Sequence, residues 1–264
     1  MIEKIKRLKA IRVLHDKLRM WSIKKGAKKY SSWLMLINIF DLDITDQYSN
    51  LKIDTEYLKL NVRAMHALQL KLIEKALSDL LCSYHGINIM DFGDSSGTHC
   101  QYIKKMYPYY EIKTLSVNID SRAIKRIKEK GLKAIVIEEE ELWEIEYKDM
   151  VMSFQVLEHL ENPIKVLQDL STITNKLVLT VPYVKRSRIG IQNLKNTNPE
   201  NTHLFELSPT DWKKLFSYSG WTVGSEEIYY QYPKGIPILS WVLKKYWQRY
   251  DFEGFYGIVL EKEK

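Results

Sequence analysis

The chain is 264 residues long, 45% hydrophobic and 28% charged, with 11 Gly, 7 Pro and 2 Cys. That balance excludes collagen-like and wholly disordered proteins, and two cysteines exclude a disulfide-rich scaffold. Cys82 and Cys100 show no metal-ligand spacing, and a reducing cytoplasmic compartment suits them best. The net charge of +7 is uneven: residues 1–29 carry 11 Lys and Arg against Glu3 and Asp16, while the remainder balances to −2.

Within that basic arm Ile2, Ile5, Leu8, Ile11, Leu14, Leu18 and Trp21 recur at steps of three and four, predicting a helix with one apolar stripe. Such a helix either packs on the body with its cations solvated, or lies on an anionic membrane or another polyanion. The longest apolar run, Trp33 to Phe40, falls far short of the roughly 20 residues that span a bilayer. The arm also lacks the apolar core and cleavage site of a signal peptide. Residues 41–55 are polar and turn-rich and read as a linker, dividing a basic helical extension (1–55) from the main domain (56–264). A helical period returns through Tyr57, Leu60, Ala64, Leu68, Leu72, Ala76 and Leu80.

Beyond it, short apolar runs alternate with amphipathic stretches. The order is INIMDF, a helix over 97–106, TLSVNI, a helix over 121–130, KAIVI, DMVMSF, a helix over 163–172 and KLVLTV. This alternation predicts an α/β fold with a mostly parallel sheet and helices on both faces. A helix over 209–219 follows, stopped by Gly220, then the strand WTVGSEEIYY. An aromatic and basic helical insertion over 237–250 precedes a last strand, GFYGIVLE.

Asp91 to Gly97 lies between the first of these strands and a helix. Glycines there let a ligand approach the backbone, and the helix start offers N–H groups. Open α/β sheets bind nucleotides at such turns. The same residues spell G-x-S-x-G, so a hydrolase with Ser95, Asp149 and His203 is a second reading, although the turn follows the first strand rather than several. A dinucleotide enzyme lacks its third glycine here, and no HxxxH, CxxC or acidic cluster predicts a metal site.

Taken together, residues 85–264 resemble class I S-adenosylmethionine-dependent methyltransferases, similar to the branch modifying quinones, other small molecules and glycans. Four segments in order carry the resemblance: INIMDFGDSSG, LSVNIDSRAIKRIKEKG, YKDMVMSFQVLEHLENPIKVLQDL and NTHLFELSPTDWKKLFSYSGWTV. It implies a Rossmann-like sheet of seven strands, the last antiparallel, with S-adenosyl-L-methionine as cofactor. It also implies that Asp91, Gly93 and Gly97 surround the amino-acid part of that cofactor, with Ser95 in place of the family's middle glycine. Asn118 stands where the family has a ribose-binding acid, with Asp120 two residues on. Glu138 falls near the adenine position, and Gln155 at the cofactor edge.

Methyl transfer to oxygen also requires a base, and an imidazole titrating near neutrality suits that task. His159, after Glu158, and His203, in the late loop, are the candidates; Tyr183 is a candidate wall for the acceptor. His66 reads as a core histidine, while His15, His85 and His99 show no partner spacing. The near-neutral body disfavours nucleic acid and favours a small-molecule, saccharide or lipid-linked glycan acceptor, with RNA or a membrane surface reachable only through residues 1–29. The substitutions at Ser95 and Asn118 motivate an alternative, a non-catalytic partner or ligand-sensing protein of the same fold. The oligomeric state is not legible in the sequence.

Overall fold

The computed structural model describes residues 2–47, 52–83, 86–137, 142, 144–192, 203–234, 237–250 and 252–263, the side chains of 2–12, 190–192, 249 and 250 excepted. Its centre is a sheet in the order β3-β2-β1-β4-β5-β9-β8. The strands are β1 (Gly86–Phe92), β2 (Glu111–Asn118), β3 (Ala134–Val136), β4 (Met150–Phe154), β5 (Lys176–Tyr183), β8 (Trp221–Tyr230) and β9 (Gly254–Lys262). β1 to β5 run parallel, and β9 runs antiparallel to both β5 and β8. A separate hairpin, β6 (Arg188–Gln192) with β7 (His203–Glu206), follows β5.

Alternation along each strand sends neighbouring side chains to opposite cores. Ile87, Ile89, Met150, Met152 and Val178 enter one core; Met90, Phe92, Val151, Leu177 and Leu179 enter the other. The first core is covered by α3 (Glu56–Ser83), α4 (Thr98–Met106), α5 (Ser121–Glu129) and the N-terminal helices. The second is covered by α6 (Pro163–Ile173) and α7 (Pro209–Tyr218). Gly257 in β9 lets α3 come close, since a Cβ there would lie 2.5 Å from Leu72 Cδ1. Gly220 ends α7 at φ +80°, as its sequence position predicts.

The N-terminal segment comprises α1 (Ile2–Gly26), a 3-10 turn (Ala27–Tyr30) and α2 (Ser31–Phe40). Its second half joins the main core through Ile23, Ala27, Tyr30 and Ile37. Of the apolar stripe read from the sequence, the members whose side chains are described do not pack: Leu14 is 70% exposed, and Leu18 and Trp21 are also exposed. Polar contacts select another face. His15 bonds Tyr246 of α8 (Pro237–Tyr250), and Arg19 lies over the rings of Tyr57 and Trp247. Ser22 donates to the carbonyl of Gln231 and accepts from the Trp247 indole. Glu227 then gathers Lys29, Tyr30 and Lys71 across three elements.

Candidate active site

The site is built at the carboxyl ends of β1, β2 and β4. Gly93 and Gly97 take φ +84° and +75°, conformations that L side chains resist. Between them the buried Asp94 shapes the turn: Oδ1 accepts from the N–H groups of Ser96 (3.0 Å) and Gly97 (2.7 Å), and Oδ2 from the Ser116 hydroxyl at 2.6 Å. A Cβ on Gly93 would lie 2.4 Å from Val156, and one on Gly97 2.5 Å from Leu132. The glycines therefore serve close packing of the turn against the chain after β4 and before β3.

Three further groups hold this turn from outside. Arg126 on α5 and Lys130 just after it donate to the carbonyls of Ser95 and Ser96, at 3.1 and 2.7 Å. Lys130 also pairs with Asp46 at 2.6 Å. Gln47, buried, donates to the hydroxyls of Ser96 and Thr98, both at 2.8 Å. Residues 41–47 thus pack over the turn rather than merely link two parts, because a buried amide must find partners and these hydroxyls supply them.

Asn118, at the tip of β2, is engaged at both ends of its amide. Nδ2 donates to the Asp94 carbonyl and Oδ1 accepts from the Asp120 N–H, each at 2.8 Å. Asp120 caps α5, accepting from the N–H of Arg122 at 2.9 Å, and its carboxylate also meets the Arg122 side chain. Glu138 lies outside the described residues, as does His85.

Asp91 is buried, and its Oδ2 has no hydrogen-bond partner; His99 Nδ1 stands 3.7 Å away. Burial, aided by the Asp94 charge, pushes its carboxyl well above the usual carboxylate range. His99, which had no partner spacing in the sequence, joins a buried chain. Its Nε2 meets Gln69 Oε1 at 2.9 Å, Gln69 donates to the Thr180 hydroxyl at 3.1 Å, and Gln155 donates to the same hydroxyl at 3.2 Å. His66 stacks edge-on against His99 and Tyr102, as a core histidine should, and burial holds both imidazoles below their ordinary values. Gln155 itself adopts φ +57°, an unusual conformation for a side-chain-bearing residue, at the tip of β4.

The two sequence candidates for a base come together. The 3-10 turn Leu157–His159 presents His159, and β7 brings in His203, with ring centroids 4.7 Å apart and nearly perpendicular. His203 stacks on Phe252, and its Nδ1 meets Glu206 Oε1 at 3.0 Å. Burial opposes the Glu206 charge, but bonds from His203 and Arg188 hold its carboxyl below the usual range. Glu158 is fully buried beneath this pair, and burial pushes it up to about 7. Tyr183, at the end of β5, packs edge-on against Tyr230 of β8.

The hydrolase arrangement is not assembled. Asp149 accepts from the N–H of Asn88 near the start of β1, while Ser95 follows its end. About four residue steps of extended strand, on the order of 13 Å, separate those levels.

With this geometry in place, comparison with known proteins gives a family. A family model described as a methyltransferase domain matches residues 63–226. No curated protein matches the sequence. Solved structures share the fold at low identity. The [4+2]-cyclase SpnF superposes with TM-score 0.54 at 12% identity, covering 90% of this chain and 97% of its own. The O-methyltransferase of a trans-AT polyketide synthase multienzyme from Brevibacillus brevis, in complex with S-adenosyl-L-homocysteine, gives 0.55 at 13%, with 83% and 82% covered. Magnesium protoporphyrin IX methyltransferase from Synechocystis PCC 6803 gives 0.52 at 12%, with 88% and 95% covered. The chain belongs to the methyltransferase-domain family, and within it to the class I S-adenosylmethionine-dependent enzymes.

Proposed function

We propose that the protein methylates a hydroxyl oxygen of a small-molecule or saccharide acceptor. The observation that carries this reading is the His159–His203 pair, with ring centroids 4.7 Å apart and His159 three residues beyond the Val156 that packs on Gly93. A proton acceptor is thereby set beside the cofactor turn.

The turn fits the amino-acid end of S-adenosylmethionine. Asp91 Oδ2 is buried without a hydrogen-bond donor, and an ammonium group is what such an oxygen lacks. When bound, the cofactor supplies a methyl group on a sulfonium whose C–S bond breaks with its electron pair kept by sulfur. Asp91 would hold the ammonium, and the N–H groups of the first turn of α4, beyond Gly97, would receive the carboxylate end. Asn118 and Asp120 support the turn and α5 more than they offer a charged ribose contact. Gln155, strained and bonded to Thr180, borders the methyl-bearing side. The acceptor hydroxyl faces the imidazole pair, which takes its proton as oxygen bonds to the methyl carbon; Glu206 orients His203 for this. Tyr183 and Phe252 give the acceptor apolar walls. Several chains of this fold act on small molecules, among them a 1,6-didemethyltoxoflavin-N1-methyltransferase of Burkholderia thailandensis, which supports the acceptor class.

Isothermal titration with S-adenosylhomocysteine tests the cofactor half; a micromolar dissociation constant, about −8 kcal/mol, is expected. Radiolabelled methyl transfer to a panel of phenols, polyols and amines tests the rest. Absence of heat at millimolar ligand would return the chain to the non-catalytic reading, and labelling of amines alone would overturn the choice of oxygen.

A further inference from the structure

We propose that Glu158, His159 and His203 form a binding site for one divalent cation of the manganese-to-zinc series. One ligand atom from each residue lies within 4.8 Å of the other two. Donors about 2.1 Å from a tetrahedral ion stand about 3.4 Å apart, so closure needs each side chain to move its donor by about an ångström or less.

Glu158 is the strongest pointer. It is 0% exposed, and neither carboxylate oxygen has a hydrogen-bond partner. Buried carboxylates are ordinarily paired or bound to metal. The neighbouring ring, His159 Nε2, is 4.0 Å from Oε1, beyond hydrogen-bond distance. A cation between Glu158 and the two imidazoles satisfies the carboxylate directly.

The second pointer is the support behind His203. Its Nδ1 faces Glu206, whose other oxygen is held by Arg188. With Glu206 ionised, Nδ1 is the donor and Nε2 carries the lone pair. Ligating imidazoles are oriented by this carboxylate–histidine arrangement, and it needs no bound metal to be in place. The donors also arrive on separate parts of the fold, the turn after β4 and the strand β7, so the site is assembled by the tertiary structure. That is why no spacing in the sequence announced it.

Two imidazoles and one carboxylate suit borderline first-row ions, not Mg²⁺ or Ca²⁺, which take oxygen donors. Three protein ligands leave a coordination position for an oxygen of the acceptor. In that role the ion takes the imidazole lone pairs and replaces the imidazole pair as activator, lowering the pKa of a bound acceptor hydroxyl whose proton leaves to solvent. The inference deepens the methyl-transfer reading and rests on it, while binding of the ion itself requires neither cofactor nor acceptor.

The test uses the untagged full-length protein, stripped with EDTA and titrated with Co²⁺. A visible d–d band saturating at one equivalent and a rise in Tm are expected. Glu158→Gln keeps the shape and removes the charge, and His203→Gln leaves the Glu206–Arg188 pair intact. Each should weaken Co²⁺ binding about tenfold or more while S-adenosylhomocysteine still binds. No band up to millimolar Co²⁺, or an unchanged band in both variants, overturns the cation site. A cobalt band in a wild type that does not bind S-adenosylhomocysteine overturns the methyl-transfer reading and leaves the cation site standing.

Discussion

Replacing Gly93 by alanine separates two contributions that the structure places on one atom. At φ +84° a Cβ costs about 1–2 kcal/mol of backbone strain. The same Cβ would sit 2.4 Å from Val156 Cγ2 and 3.1 Å from Cγ1, an overlap that should cost about 1–3 kcal/mol more. Gly93→Ala is thus expected to lose about 2–5 kcal/mol. A larger side chain at 93 runs into the protein itself, at Val156, before it reaches any ligand. Val156→Ala removes two methyl groups from a half-buried side chain, a loss of about 1 kcal/mol. It also vacates the space the new Cβ needs. The double variant should therefore be more stable than the sum of the single effects predicts, by about 1–3 kcal/mol, with only the strain remaining. Urea unfolding of the four proteins, at a common m-value, reads this coupling directly. Additivity within about 0.5 kcal/mol would refute the claim that Val156 packs on Gly93.

Two other perturbations address the same region. Asn118→Asp restores the family's acid but removes the donor to the Asp94 carbonyl; we expect a loss of about 1–3 kcal/mol in stability and no gain in S-adenosylhomocysteine affinity. A variant that binds more tightly at unchanged Tm would show that the turn does not depend on this bond. His66 is buried beside His99, Tyr102 and Arg63, and burial, then the Arg63 charge, pushes it down to about 3. Because its folded pKa lies below its unfolded value, its contribution is intact above about pH 6.5 and is lost as pH falls toward 3. Between pH 6 and 4, the stability of the wild type should therefore fall relative to His66→Phe by about 1.4 kcal/mol per pH unit. A pH-independent difference in urea midpoints would sink that assignment.

The sheet was legible because its strands are short apolar runs cut by turn residues, and the observed β8 coincides with WTVGSEEIYY. The helices after β1, β2 and β4 were legible from the same alternation. The packing face of α1 from residue 13 on was not, since there it is His15, Arg19 and Ser22 that find partners, 38 to 231 residues away in the chain, while Leu14, Leu18 and Trp21 stay exposed. Residues 41–47 read as a linker because polarity signals exposure; Gln47 is buried only because two hydroxyls of a distant turn accept its donors. His99 escaped notice for a related reason. Asp91 is eight residues before it and Gln69 thirty, and neither spacing is a motif. The imidazole pair was legible as two residues, but the buried Glu158 beneath them was not, because a glutamate in a polar turn carries no sign of its burial.

The resemblance implies an acid where Asn118 stands, and these unforeseen contacts give the amide its physical reason. Two carboxyls, Asp91 and Asp94, already lie buried in this turn, and burial drives both upward from their ordinary values. A third carboxylate at 118 would stand against the Asp94 carbonyl and add repulsion where desolvation is severe. An amide instead donates to that carbonyl and accepts from the next turn, tying β2 to the glycine turn without charge. Arg126 and Lys130, on α5 and at its C-terminal end, complete the same function by neutralising carbonyl dipoles from outside. The turn is therefore made rigid by its own protein, and within residues 91–97 Asp91 Oδ2 is a buried side-chain oxygen left without a hydrogen-bond partner. A ligand bringing a cationic amine to that atom gains a buried, charge-assisted bond, whereas one bringing only ribose hydroxyls to Asn118 must displace bonds already made. Affinity in this protein should accordingly reside in the amino-acid half of the cofactor: S-adenosylhomocysteine should outbind adenosine by a wider margin than in relatives that keep the acid.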